Sequence, residues 1–196
     1  MSLMEIPLPP GLLYFPNWLS DTEHDAAVLE IDGHNFETSL SRRVQHYGAR
    51  YHYDSSRVAE IGSAPPAPKV LSAIGKRLFN EHDFERIPEQ IIVNEYLRGQ
   101  SIAAHIDRDS FGPKVATISL LESWYMTFRS LDKLQRIEVF LEKNSLAIMT
   151  EASRTQWKHA IMSRVQDKSS AGIDIPRGRR LSLTFRTINR PEGSSQ

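Results

Sequence analysis

Arg180-Leu181-Ser182-Leu183-Thr184-Phe185-Arg186 alternates polar and apolar side chains without a break. A period of two is the mark of a β-strand. It puts Leu181, Leu183 and Phe185 on one face and Arg180, Ser182, Thr184 and Arg186 on the other. The apolar face must enter a core. The opposite face suits a solvated surface, or it lines a pocket for a small dicarboxylate, because a guanidinium grips a carboxylate through two parallel N–H donors.

Working back from this strand, short β-rich runs follow one another: Ile91–Tyr96, Val115–Leu121, Trp124–Phe128, Ile137–Leu141, Leu146–Met149 and Trp157–Ile161. Asn, Gly, Ser and charged residues separate them, which points to a sandwich or barrel. Earlier still the period changes. Ser20 and Glu23 have capping-box spacing ahead of Ala26, Val28, Leu29 and Ile31, so a helix is predicted over about 21–31. Three prolines within 62–68 break the chain, and Val70, Leu71, Ile74, Leu78 and Phe79 then recur at helical spacing. The fold class expected is α+β, with helices confined to the N-terminal half and packed outside the strands.

Composition narrows the chemistry. The chain has 196 residues, 40% of them hydrophobic, which suits one domain with a real core and argues against disorder. Cysteine is absent, so disulfides, thiolate zinc sites and thiolate-held iron–sulfur clusters are excluded, and a protein-held metal must use His, Asp or Glu. Lys plus Arg equals Asp plus Glu at 24 each, which excludes binding to a polyanion through bulk charge alone. The neutral total hides a gradient: residues 1–50 carry 3 basic against 7 acidic side chains, and residues 151–190 carry 9 against 3. The N-terminus lacks a basic segment followed by an apolar one, and no run reaches the roughly 18 apolar residues of a membrane helix. The expectation is a cytoplasmic protein, with a nuclear location open for a eukaryotic source, no membrane partner and a monomeric state.

The chemistry centres on Asn94-Glu95-Tyr96 and His105-Ile106-Asp107. In extended chain, residues two apart face the same side, so His105 and Asp107 could grip one metal. His159 is the only histidine after Asp107 and would complete the two-His, one-carboxylate facial triad of non-heme Fe(II) oxygenases. A single His-x-Asp is weak evidence, since His52-Tyr53-Asp54 also fits and such a pair is commonly a solvated turn. Asn94 and Tyr96, again two apart, could add hydrogen bonds to a bound acid.

Taken together and in this order, the motifs resemble those of the AlkB-type Fe(II)/2-oxoglutarate-dependent dioxygenases. The likeness covers roughly residues 40–190 and rests on Ser41-Arg42-Arg43-Val44-Gln45-His46-Tyr47-Gly48, Asn94-x-Tyr96, His105-x-Asp107, His159 and Arg180-x-Ser182-x-Thr184-x-Arg186. The resemblance implies a double-stranded β-helix, or jelly roll, in one domain over 1–190, with a substrate-covering lid at 40–60; the polar composition of 191–196 points to a flexible tail. It implies that His105, Asp107 and His159 hold Fe(II), that Asn94 and Tyr96 hydrogen-bond 2-oxoglutarate, and that Arg180 pairs with the distal carboxylate. Arg186 would lie nearer the iron-bound end. Position 182 is often Asn in the family; Ser182 keeps a hydroxyl but loses reach. His52 and Asp54 fall in the lid and are not the metal site.

Residues 42–54 interleave basic and aromatic side chains, a pattern suited to phosphate contacts and base stacking and equally to an edge hairpin packed on a core. Arg42 and Arg43 are the candidate phosphate contacts. The resemblance adds Tyr51 and Tyr53 as base-contacting residues, and Asp109 as the carboxylate that reads an exocyclic amine. The activity it implies is oxidative demethylation of N-alkylated bases in DNA or RNA, single-stranded or flipped out, with O2 consumed and formaldehyde, succinate and CO2 released. Two alternatives stand beside it: hydroxylation of an RNA base, such as a tRNA uridine, to a stable alcohol, and a non-catalytic jelly-roll binding module.

Overall fold

The computed structural model describes residues 8–52, 57–58, 61–169 and 171–189, with backbone alone at 51–52 and 57–58. Helix α1 spans Asp21–Asp32 and opens with the capping box that its sequence predicts. The Ser20 hydroxyl accepts from the Glu23 amide at 3.3 Å, and the Glu23 carboxylate accepts from the Ser20 amide at 2.8 Å. Helix α2 spans Lys69–Glu81 and buries Leu71, Ile74 and Leu78 along one stripe. Its N-cap, Pro68, has no capping side chain. Glu30 of α1 fills that role, its carboxylate accepting from the Val70 and Leu71 amides at 2.8 and 3.0 Å.

Both helices lie against a six-stranded antiparallel sheet. Its strands are β1 (Leu12–Phe15), β2 (Arg43–Tyr47), β5 (Gln90–Tyr96), β7 (Phe111–Leu120), β10 (Leu146–Met149) and β14 (Arg180–Ile188), in the order β1-β10-β7-β14-β5-β2. A second sheet, ordered β6-β11-β8-β9, is built from β6 (Ile102–His105), β8 (Trp124–Ser130), β9 (Arg136–Leu141) and β11 (Trp157–Ile161). Two short ribbons complete the strands, β3 (Tyr51–His52) with β4 (Arg57–Val58), and β12 (Gln166–Lys168) with β13 (Asp174–Pro176). The two sheets face each other as a jelly roll, the expected architecture.

Strand β14 sits at the centre, paired with β5 on one side and β7 on the other. Leu181, Leu183 and Phe185 pack with Leu71, Ile74 and Leu78 beneath the helices. Arg180, Ser182 and Thr184 face the space between the sheets and are buried too. The solvated-surface reading of that polar face is therefore wrong: the strand is buried on both sides. Trp124, Met126, Phe128, Val139 and Trp157 form a second apolar cluster between the sheets.

All seven expected strands are present, with ends shifted by a few residues. Strand β2 went unread because Arg-Val-Gln-His-Tyr looks polar, yet only its first residue is exposed. It pairs with β5 in the register Val44↔Asn94, so the start of the expected lid is built into the large sheet. Gly48 follows at φ 77°, where a Cβ would come within 2.0 Å of the Glu89 carbonyl oxygen, so a side chain is excluded as the chain leaves β2. The helices are not confined to the N-terminal half: α3 (Glu151–Thr155) joins β10 to β11. Its five residues are too few to show a period. No helix among the described residues is long and apolar enough to cross a membrane.

Candidate active site

His105 ends β6, and the register of the small sheet sets it directly opposite His159 on β11. Asp107 follows two residues later on the turn that leads into β7. One donor atom from each residue lies within 4.8 Å of the others, and the two imidazole centroids are 4.3 Å apart. His159 Nε2 stands 3.7 Å from Asp107 Oδ2.

Each ligand is oriented from behind. His105 Nδ1 lies 2.8 Å from the Ala103 carbonyl oxygen, which can only accept, so Nδ1 carries a proton and Nε2 is the nitrogen available to a metal. Arg186 Nη2 contacts Asp107 Oδ1 at 2.5 Å, whereas Oδ2 is buried and has no hydrogen-bond partner. Burial alone would raise the Asp107 carboxyl, but neighbouring cations, Arg186 foremost, hold it below the ordinary carboxylate range. Burial pushes His159 down to about 3, which keeps its imidazole neutral. Two imidazoles facing an anionic, unpartnered carboxylate oxygen form a donor set that fits Fe(II).

Behind this set lies the polar inner face of the large sheet. Register places Arg180 opposite Tyr96 and Ser182 opposite Asn94 on β5, and Ser182 and Thr184 opposite Ser119 and Thr117 on β7. Arg180 is fully buried. Its Nη2 donates to the Ser119 hydroxyl at 2.8 Å, while Nε and Nη1 have no partner. Burial pushes this guanidinium down to about 10, a measure of how poorly the site tolerates an unbalanced charge. A small anion is what the site lacks. Tyr96, Ser182 and Thr184 border a void of about 40 Å³ that His105, Asp107 and His159 also line. Outside it opens a cavity of about 720 Å³ bordered by Arg42, Asn94, His105, Asp107, Asp109 and Arg186.

Several expected site residues stand in other arrangements. Arg42 is buried and its Nε donates to Asn94 Oδ1 at 2.8 Å, so it supports the cavity wall and is not a surface phosphate contact. The same bond turns the Asn94 amide so that its N–H₂ is the group left for a ligand. Arg43 makes a double contact with Glu95 at 2.5 and 2.7 Å and stacks on Phe36, so its half-exposed guanidinium ties β2 to β5. Asp109 is exposed on the cavity rim; its backbone carbonyl accepts from Asn189 Nδ2 at 2.6 Å. Tyr51 contributes backbone to β3, and its side chain, like Tyr53, Asp54 and the tail 191–196, lies outside the described residues.

One residue escaped the sequence reading. Arg154 of α3 is buried, and its guanidinium donates to the carbonyls of Asp107 and Arg108, each at 2.7 Å, and more distantly to those of Gly112 and Phe111. It thereby clasps the turn that carries Asp107 and Asp109. A lone arginine in Glu-Ala-Ser-Arg-Thr gives no sequence signal of this kind.

Residues 11–186 match the model of a family described as the 2OG-Fe(II) oxygenase superfamily. A mouse protein named tRNA (carboxymethyluridine(34)-5-O)-methyltransferase ALKBH8 is 34% identical over 93% of this chain and 31% of its own length. The chain thus spans about a third of that relative. Protein L905 of Acanthamoeba polyphaga mimivirus is 27% identical over 91% of this chain and 85% of its own. A Caenorhabditis elegans protein named DNA N6-methyl adenine demethylase is 25% identical over 90% and 59%. Among solved structures, OsALKBH1 superposes with a TM-score of 0.65 at 18% identity, covering 92% of this chain and all of that one. A Pseudomonas putida prolyl-4-hydroxylase superposes with 0.60 at 16%, covering 92% and 94%. Both share the fold described above.

Proposed function

Since this chain belongs to the 2OG-Fe(II) oxygenase superfamily, as an enzyme of AlkB type that uses Fe(II), 2-oxoglutarate and O2, we propose that its substrate is a base in a nucleic acid, and that it removes an N-alkyl group from it. The observation that carries this reading is the cavity of about 720 Å³ set directly over His105 and Asp107, with the Asp109 carboxylate on its rim. Such a space admits a flipped or unpaired base, and a carboxylate there can accept from an exocyclic amine. Relatives named for a tRNA uridine and for methyladenine support a nucleobase substrate.

His105, Asp107 and His159 would hold the iron, which when bound supplies the oxidation of a substrate C–H bond coupled to decarboxylation of 2-oxoglutarate. The chain's own task is positioning. Arg180 receives the distal carboxylate of 2-oxoglutarate on its unpartnered Nε and Nη1, and the Ser119 contact fixes its plane. Asn94, held by Arg42, offers its N–H₂ to the other end of the molecule. Arg186 keeps Asp107 single-sided, so only its Oδ2 would be offered to the metal. With iron and 2-oxoglutarate bound, one atom of O2 would enter succinate and the other would convert an N-methyl to an N-hydroxymethyl group. Loss of formaldehyde from that group returns the proton to nitrogen and frees the base.

A second reading, oxidation at carbon on an RNA base, keeps the same iron chemistry, and the tRNA uridine in the mouse relative's name supports an RNA base as its substrate. It yields a stable alcohol and no formaldehyde. Incubation of the iron-loaded protein with 2-oxoglutarate and a panel of alkylated DNA and RNA oligomers separates the two. Formaldehyde with loss of the alkyl mass supports demethylation; gain of one oxygen without formaldehyde supports hydroxylation. Succinate formed at the same rate with and without every oligomer would count against a nucleobase substrate.

A further inference from the structure

Most of the basic excess in residues 151–190 turns inward. Arg154, Arg180 and Arg186 serve the site, Arg177 is buried against Asp167 at 2.7 Å, Arg179 joins Glu95 and Asp32, and Arg164 joins Glu138. Lys158 differs. It is exposed on the outer face of β11, directly opposite Arg129 of β8, which stands directly opposite Arg136 of β9.

Three cations thus lie in one row across three strands, a length of about 10 Å at the usual strand spacing. Like charges opposite one another weaken a sheet, so the row has a cost that folding does not repay. Neither Arg129 nor Lys158 has an acidic partner among the described residues, and Arg136 shares Glu138 with Arg164. Lys133, exposed in the turn between β8 and β9, adds a fourth cation. The acid of that turn, Asp132, is occupied by the Ser130 hydroxyl and the Leu134 amide. Further along the same face Tyr125 and Phe140 stand opposite each other, half-exposed, with ring centroids 4.8 Å apart.

The row begins beside the active-site cavity. His159, next to Lys158, points through β11 to the metal-binding set, and Thr155, three residues earlier, borders the cavity. Three residues of chain reach at most about 10 Å. We propose that the outer face of β11, β8 and β9 is a track for the phosphodiester backbone of the strand whose base enters the cavity. Lys158, Arg129 and Arg136 take its phosphates, and Tyr125 with Phe140 offers a stacking platform beyond them. The proposal rests on the nucleobase reading above and adds the path of the strand.

The test is fluorescence anisotropy with the Arg129→Gln/Lys158→Gln double variant, which alters exposed side chains only. The probes are a single-stranded oligonucleotide long enough to cross the sheet, a trinucleotide and a polyglutamate peptide. Binding of the long oligonucleotide should weaken about tenfold, and its salt dependence should flatten by about 1.4 in log–log slope for two lost phosphate contacts. Trinucleotide binding should not change, nor should a Lys76→Gln control on α2 alter either. Wild-type affinity and slope in the double variant overturn the track while leaving the nucleobase reading intact. Loss confined to polyglutamate assigns the face to an acidic protein and also overturns it. Failure of the unaltered protein to bind any oligonucleotide overturns the nucleobase reading and the track together.

Discussion

Asp107 and Arg186 are joined at 2.5 Å through Oδ1, and this contact leaves Oδ2 as the single carboxylate oxygen facing the two histidines. Arg186 is itself held by the side-chain amide oxygen of Gln90, Oε1, at 3.1 Å and by stacking on Phe111, so the carboxylate is fixed from a rigid base. Removing the guanidinium would free Asp107 to rotate and would strip the charge that keeps it ionised. Arg186→Gln is expected to weaken Fe(II) or Co(II) binding by about 10–100-fold, the usual effect of losing a ligand's supporting contact. Anaerobic metal titration followed by tryptophan fluorescence measures this; an unchanged metal affinity would show that the contact does not set the ligand.

Arg180 should act on 2-oxoglutarate and leave the metal alone. It is fully buried with two donors empty, so the distal carboxylate gains both a charge partner and hydrogen bonds on binding. Arg180→Met, which keeps the volume and removes the charge, should weaken 2-oxoglutarate binding by roughly 2–5 kcal/mol. The ligand-free variant should be as stable as the parent or more so, because an uncompensated buried cation is a burden. Calorimetric titration with Mn(II) present and thermal denaturation without ligand check the two halves separately.

The sequence revealed most where one residue's period or spacing suffices. The alternation of 180–186 located the central strand, and Ser20 with Glu23 located the start of α1, because both are local devices. His105, Asp107 and His159 were legible as a set only through their order along the chain. What brings His159 to His105 is the cross-strand register of β11 and β6, and register is a property of the whole sheet. The solvated alternative for Arg180 and Ser182 failed for the same reason: a polar face looks alike whether it meets water or an enclosed ligand site. Arg42 and Arg43 are candidate phosphate contacts by the interleaving of basic and aromatic residues, a local pattern that does not show their partners Asn94 and Glu95 some fifty residues away.

Arg154 should behave as a positioning residue. Its guanidinium donates to four carbonyls around the turn that carries Asp107. The Phe111 carbonyl also accepts from Asn189 Nδ2 at 3.0 Å and the Arg108 carbonyl from the Phe111 amide at 3.1 Å, so the Asp107 carbonyl leans on it most. Arg154→Ala should cost about 3 kcal/mol in unfolding free energy, the penalty for stranding buried acceptors of a charged donor. Arg154→Lys restores the charge but not the fork, so it should recover part of the stability while metal affinity stays reduced. Chemical denaturation alongside Co(II) absorption spectra distinguishes these effects. Parent-like spectra and metal affinity in Arg154→Lys would reduce the residue to a structural cation.

Glu95 links three parts of the chain: it is buried on β5 and is gripped by Arg43 of β2 at 2.5 Å and by Arg179, the residue before β14, at 2.7 Å. Hydrogen bonding from Arg43, ahead of that from Arg179, holds its carboxyl below the ordinary value of 4.5. The folded-state value is depressed, so its contribution to stability is fully present above about 4.5 and is lost as pH falls through the lower, folded value. Glu95→Gln keeps the shape and removes the charge. At neutral pH it should cost about 2 kcal/mol, less than a fully buried pair because Arg43 is half-exposed, or about 4–8 °C in Tm. Below pH 4.5 the gap between parent and variant should close progressively, since the parent then becomes protonated as well. Thermal denaturation across pH 3–7 follows both curves, and a gap that stays constant down to pH 3 would remove Glu95 as the source of this acid sensitivity.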